Sequence, residues 1–355
     1  MMVLPRDTTR QVLVGDVALG GGAVIPLQSM LTASTVDTAA CLAQITELYQ
    51  AGSDIVRVAV ESKNDLESFG AICKESPLPV VGDIHFDYRL AVEAAKRGAA
   101  KLRINPGNIG GNDRVNAVID AAGEAGIPIR IGVNSGSLEA SLKEAGELSL
   151  ASKLVLSAQR SVEHFESRGF HDLVISAKAS DVPTTIEVYQ RLSSTLPQIP
   201  LHLGVTEAGT AWAGTIRSSV GIGALLAQGI GDTFRVSLTA SPVEEIRVAQ
   251  RILAALGLGA ENLATLISCP TCSRCKVDLM GIAAEVEQRL EAVKRPLKAA
   301  VMGCVVNGPG EAAEADVGVA CGKGTGAIFS KGKVLYTVAE DQIIEALFCE
   351  IEKSL

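Results

Sequence analysis

Short apolar runs and amphipathic stretches take turns along most of this chain. The runs "IPLQSML" (25–31), "DIVRVAV" (54–60), "LPVVGDIHF" (78–86) and "AKLRINPG" (100–107) have the near-continuous apolar character of strands buried on both faces. "IPIRIGVNSGS" (127–137), "DLVISAKAS" (172–180), "IPLHLGVTEAG" (199–209) and "DTFRVSLTA" (232–240) repeat it, which makes eight. Segments such as "YRLAVEAAKRG" separate them, with apolar residues at helical spacing and a glycine at the stop. Strict alternation of eight strands with helices predicts a closed (β/α)8 TIM barrel rather than an open doubly wound sheet. The opening "RQVLVGDVALGGG" predicts a small hairpin at the barrel bottom.

After "SPVEEIRVAQRILAALGL", the helix that follows the eighth strand, the rhythm changes. "NLATLISCPTCSRC" leads into a helix, "DLMGIAAEVEQRLEAV", and a strand, "LKAAVMGCVV". Then come "EADVGVACG", a hairpin "GAIFSKGKVLYTV" and a terminal helix "EDQIIEALFCEIEK". The expected organisation is a barrel domain over residues 1–260 and a small α+β domain over 261–355.

Composition narrows the function classes. With 355 residues and 47% hydrophobic content, the chain can bury a core in each domain. Thirty-two basic against forty acidic residues leave a net charge of −8, so no general attraction to nucleic acid or an anionic membrane is expected. Aromatics at 3% argue against stacking platforms for single strands. The N-terminus lacks the apolar core of a signal peptide, and no uninterrupted apolar run approaches ~18 residues, which points to a cytoplasmic protein. In that reducing setting the eight cysteines read as free thiols or metal ligands. Cys41, Cys73 and Cys349 lie in helical patterns and read as buried packing, and Cys321 as structural.

Polar residues unusual for buried strands recur at the carboxyl ends of the barrel runs. They are Arg57, Asp83 and His85, Arg103 and Asn105, Arg130 and Asn134, Lys178, Glu207, and Arg235 with Ser237. In a (β/α)8 barrel those ends converge on one mouth. A single such residue reads as a solvated strand end or half of a salt bridge. Five cations on five strands read as a site for phosphate oxygens, and in an acidic protein they imply a substrate with more than one phosphate. "IRSSVGIGALL" (216–226) offers a further anion site at a helix N-terminus with Ser218 and Ser219, although ordinary capping explains it equally well. "GKGTG" (322–326) lacks a P-loop's strand–helix context and reads as a turn, and His202 reads as core or barrel bottom.

The tail carries Cys269, Cys272 and Cys275 in "SCPTCSRC", with Cys304 in "GCVVNGPGE". A zinc ribbon brings two C-x2-C pairs, whereas this run followed by a distant cysteine is closer to a four-iron ferredoxin. The residues leave the ligand set open between four cysteines and three plus an oxygen donor.

"SCPTCSR" followed by "GCVVNGPGEA" resembles the signature of the 4-hydroxy-3-methylbut-2-enyl diphosphate synthases, iron–sulfur enzymes of the non-mevalonate isoprenoid pathway. "GDIHFD", "RINPGN", "RIGVNSGSL", "SAKAS", "LHLGVTEAG" and "RVSLT" match the same family, so the resemblance covers nearly the whole chain, in the short bacterial form. It implies a 4Fe-4S cluster on Cys269, Cys272, Cys304 and Glu311, with Cys275 as a departure from the family pattern. It also implies reductive ring opening of 2-C-methyl-D-erythritol 2,4-cyclodiphosphate, with the barrel cations, Asn105, Asn134 and Ser237 holding the substrate. Glu207 becomes the candidate proton donor, and Asp83 and His85 second candidates for orienting or protonating the substrate. Flavodoxin or ferredoxin would deliver the electrons, and a head-to-tail homodimer would bring one chain's cluster domain over the other's barrel mouth. The competing reading is a non-redox pterin- or aldolase-type barrel with a structural zinc in the tail.

Overall fold

The computed structural model describes residues 4–259, 263–304, 312 and 314–353. The chain forms two compact units, Met1–Leu258 and Gly259–Leu355.

In the first unit a hairpin of β1 (Val12–Val14) and β2 (Val17–Leu19) precedes eight parallel strands. Six of these pair in chain order as one sheet. They are β3 (Gln28–Met30), β4 (Ile55–Ala59), β5 (Val80–Asp83), β6 (Lys101–Ile104), β7 (Ile129–Asn134) and β8 (Leu173–Lys178). The last two, β9 (His202–Leu203) and β10 (Thr233–Phe234), pair with each other. Single parallel bridges, Ile175 to Leu201 and Leu27 to Phe234, close the ring. The barrel of the sequence reading is present, with its last two strands much shorter than the apolar runs that announce them.

Side chains make up for the missing ladder. From the interior of α8 (Val182–Thr195), the Tyr189 hydroxyl donates to the His202 carbonyl at 2.6 Å and accepts from the Ala177 N–H at 3.3 Å. It thereby joins β8 to β9. Asp232 Oδ2 accepts from the Leu201 N–H at 2.8 Å, and Thr233 Oγ1 donates to the Pro26 carbonyl at 2.9 Å.

Helices follow each barrel strand. They are α1 (Thr38–Ala51), α2 (Asp65–Glu75), α3 (Tyr88–Lys96), the short α4 (Pro106–Ile109) with α5 (Asn112–Ala125), and the short α6 (Ala140–Glu144) with α7 (Leu150–Ser167). After α8 come α9 (Ala211–Leu226) and α10 (Pro242–Ala255). Local sequence sets their ends. Asp37, Asp87, Ser149, Asp181 and Ser241 cap free N–H groups at the starts of α1, α3, α7, α8 and α10. Gly52 and Gly126 stop α1 and α5 in the left-handed region. Ser218 lies inside α9, whose N-cap is Thr210, and is fully buried, so it serves neither a helix-terminus anion site nor a cap.

Alternation along the strands sorts the side chains. Outward residues such as Val56, Leu102, Ile131 and Ile175 pack with Ile45, Phe69, Val118 and Leu154 of the helices, and each fully buried side chain contributes roughly 1.5–3 kcal/mol. Inward residues at the lower ends, Ile55, Val81 and Val174, pack against Val12, Val14 and Leu19 of the hairpin. The hairpin plugs the barrel floor.

In the second unit, β11 (Ala264–Ser268), β12 (Leu297–Met302) and β13 (Val317–Gly322) run parallel, and β14 (Thr325–Ser330) and β15 (Lys333–Ala339) add a meander. α11 (Leu279–Leu290) and α12 (Ile343–Lys353) contribute Leu279, Val286, Leu290, Leu347 and Ile351 to a core with Val301, Val319 and Ile328. "GKGTG" forms the turn between β13 and β14, with Gly324 at φ 70°. Cys41 and Cys321 are buried as expected, but Cys349 is exposed on α12, on the face its helical spacing turns away from the core.

Candidate active site

Inward positions above the plug carry charge instead of apolar groups. A cavity of about 200 Å3 at the carboxyl ends of the strands is lined by Arg57, His85, Arg103, Arg130, Asn134, Ser176, Lys178, Thr206, Glu207, Arg235 and Ser237. Two glycines make the room. A Cβ on Gly132 would lie 2.7 Å from Arg103 Nε, and one on Gly204 would lie 2.5 Å from Lys178 Nζ. Each glycine stands where a neighbouring strand's cation crosses the lumen.

The cations are not equivalent. Asp83 serves two of them, 3.6 Å from Arg57 Nε and 3.2 Å from Arg103 Nη1. Arg235 makes a two-pronged pair with Glu245 of α10, at 3.0 and 2.9 Å. Arg130 and Lys178 have no carboxylate at ion-pair distance among the described residues. Burial, and then Arg57 and Arg103, make the charge on Arg130 costly, and burial followed by Arg130 lowers the affinity of Lys178 for its proton. An entering anion relieves both costs.

Asp83 is almost fully buried, and burial alone would raise its pKa. Arg57, the hydrogen bond from His85 and Arg103 outweigh burial and hold the carboxyl well below its ordinary range. It therefore orients cations and is no proton donor at neutral pH. His85 lies 3.3 Å from Asp83 Oδ2, with Arg103 Nη1 at 2.8 Å from its Nε2, and remains about half exposed to the cavity. Asn105 is buried outside the lining, and its side chain accepts from the Gly107 N–H to cap α4.

Glu207 is exposed and adopts a left-handed φ of 54°, a conformation that costs a non-glycine residue roughly 1–3 kcal/mol. The Thr239 N–H bonds to the Gly209 carbonyl at 2.9 Å, and a bridge between Thr210 and Thr239 fixes the loop's far side. A carboxylate carried on a strained stretch of backbone thus lines a pocket of cations.

In the second unit Cys269 follows β11, and Cys304 lies just past β12, its parallel neighbour. The Gly303 N–H donates to Cys269 Sγ at 3.2 Å, so both loops meet at one end of the sheet. Cys272 is exposed, and nearby backbone N–H groups, that of Arg274 first, lower its pKa. Cys275 Sγ donates to the Val277 carbonyl at 3.4 Å and passes close over Gly303, where a Cβ would lie 2.8 Å from it. Glu311 lies outside the described residues, and among those described no three side chains gather as metal ligands.

Residues 9–250 match the GcpE TIM-barrel domain, and residues 265–353 match the GcpE protein C-terminal domain. The chain belongs to the GcpE family. A relative from Caldanaerobacter subterraneus named 4-hydroxy-3-methylbut-2-en-1-yl diphosphate synthase (flavodoxin) is 51% identical, with 99% of each chain covered. One of the same name from Geobacillus thermodenitrificans is 49% identical over 99% of this chain and 93% of its own. The resemblance read from the motifs is borne out. Among solved structures, a Yersinia pestis dihydropteroate synthase shares 14% identity at a TM-score of 0.51, over 70% of this chain and 98% of its own. That likeness is one of fold alone, and the pterin-type reading gains no support from it.

Within this GcpE site, sequence reasoning missed Ser176 and Thr206. Both had a signal: Ser176 precedes Lys178 by two and shares its inward face, and Thr206 adjoins Glu207.

Proposed function

We propose that this chain converts 2-C-methyl-D-erythritol 2,4-cyclodiphosphate into (E)-4-hydroxy-3-methylbut-2-enyl diphosphate, with flavodoxin as the electron donor. The observation that carries this reading is a full-length match to relatives bearing that enzyme's name, joined to a lumen in which buried Arg130 and half-buried Lys178 have no carboxylate at ion-pair distance among the described residues.

The thiols fit the family's cofactor in kind, being soft donors brought together past two paired strands. Cys269, Cys272 and Cys304, with Glu311, would hold a 4Fe-4S cluster that supplies electrons singly. The barrel residues do the rest. Arg130 and Lys178 grip the diphosphate, Arg57, Arg103 and Arg235 frame it, and Asn134 and Ser237 add hydrogen bonds. A ring phosphate oxygen and a hydroxyl leave adjacent carbons, and a double bond forms between those carbons as two electrons enter. The phosphate departs as a stable anion and needs no proton. The hydroxyl must leave as water, so one acid suffices, and Glu207 is our choice. His85 orients the substrate, with Asp83 behind it.

We also assign a head-to-tail homodimer in which a partner's cluster domain serves this mouth, and a cytoplasmic setting. Among the described residues no helix is long and apolar enough to cross a membrane.

Anaerobic purification should yield a brown protein absorbing near ~400 nm that turns over the cyclic diphosphate with reduced flavodoxin. A colourless protein with stoichiometric zinc and no turnover would overturn the assignment. Mixing Glu207→Gln with Cys269→Ser chains, each inactive alone, should restore part of the activity if sites are shared between protomers. No recovery after demonstrated exchange would mean each chain completes its own site.

A further inference from the structure

Beneath the mouth lies a polar layer that the reaction above does not use. Lys101 points inward from β6, two residues before Arg103; it is fully buried and its Nζ has no hydrogen-bond partner among the described residues. Among the described residues both ring nitrogens of His202 on β9, which faces the same cations, and both amide atoms of Gln28 on β3 are buried without hydrogen-bond partners.

The charged groups that face Lys101 are cations, Arg130 from β7 and Arg57 from β4, and His202 faces it from β9. The carboxylate on adjacent β5, Asp83, is taken up by Arg57 and Arg103. The hairpin below contributes Val12, Val14 and Leu19. An isolated ammonium there loses its hydration and gains no counter-charge, and amines so placed shed their proton. Burial first, then Arg130 and Arg57, push Lys101 in that direction.

We propose that Lys101 is a neutral amine in the ligand-free barrel and takes up one proton from solvent when a doubly phosphorylated ligand enters the mouth. The negative phosphates offset Arg130 and Arg57, and the new ammonium restores charge balance under them. Lys101 is thus a positioning residue acting through Arg130: the empty lumen is spared one repulsive charge, and the occupied one gains an attractive one. This rests on the reading of the mouth as a diphosphate site.

The test is calorimetry of cyclic diphosphate binding to the oxidised holoenzyme, without reductant, in buffers of differing ionisation enthalpy at pH 7. Wild type should take up about one proton more than Lys101→Met or Lys101→Gln. Equal uptake by all three proteins would overturn the proposal. A second arm needs no ligand. If Lys101 is neutral when folded and charged when unfolded, the native state binds fewer protons, so wild type gains stability relative to Lys101→Met as pH rises. The ratio of their unfolding constants should fall by up to about tenfold per pH unit between 7 and 9. A flat ratio overturns the neutral amine. If the cyclic diphosphate fails to bind wild type, the functional reading falls, while this second arm still decides the state of Lys101.

Discussion

The two sides of the barrel are built differently. From β3 to β8 the strands form an unbroken parallel ladder, and alternation alone aims Arg57, Asp83, Arg103, Arg130 and Lys178 into the lumen. Across β9 and β10 the ladder shrinks to two residues per strand, and Tyr189, Asp232 and Thr233 hold the seam with side-chain bonds. The strained Glu207 belongs to this second side. The regular side holds most of the lumen's cations, and the irregular side, where backbone is freer to leave the extended region, presents Arg235 and the group assigned to proton transfer.

The strongest test of that division is Glu207→Gln. The amide keeps shape and hydrogen bonding but is no acid, so turnover should fall by ~10²–10⁴-fold with substrate affinity and absorbance near normal. An unchanged rate would move the acid elsewhere. Next come the cations of the regular side. Arg130→Ala and Lys178→Ala should each weaken cyclic diphosphate binding by roughly 1.5–3 kcal/mol, read by calorimetry. Arg57→Ala and Arg103→Ala should do so too and should also lower the melting temperature, because each removes a partner from buried Asp83. Unchanged affinity in all four would place the substrate outside this mouth.

Smaller effects test the seam. Burial raises the Asp232 pKa from 3.8 to about 6, against bonds from Leu201 and Thr9 that lower it. The native state therefore holds this proton where the unfolded chain has lost it, and stability falls as pH rises from about 4 to 6. The loss amounts to up to about 3 kcal/mol at 1.36 kcal/mol per unit. Asp232→Asn should flatten that part of the pH–stability curve, and an unaltered curve would show that Asp232 titrates normally. Tyr189→Phe should cost about 1–3 kcal/mol in denaturant unfolding, because it strands the buried Ala177 N–H and His202 carbonyl. Thr46→Ala, on the exposed face of α1, should stay within about 0.5 kcal/mol. Equal costs would mean that Tyr189 joins nothing the ladder does not already hold.

The same contrast explains what could be read from the sequence. The eight apolar runs and the cations at their ends were legible because strand period and barrel topology convert position directly into direction. The pairing of Arg235 with Glu245 was not, because α10 meets the lumen through tertiary packing. Asn105 reads as a mouth residue from its place after a strand, and its side-chain oxygen also caps α4, a role that the following proline signals. Gly132 and Gly204 looked like ordinary glycines until the side chains that pass over them were in place.

The hairpin under the barrel has a kinetic consequence. Val12, Val14 and Leu19 close the barrel floor, so a ligand held by the mouth cations would both enter and leave by the mouth. On the proposed reading of the mouth, substrate and product, both diphosphates, compete for the same cations. Initial-rate measurements should show product inhibition that added substrate fully overcomes, with the limiting rate unchanged.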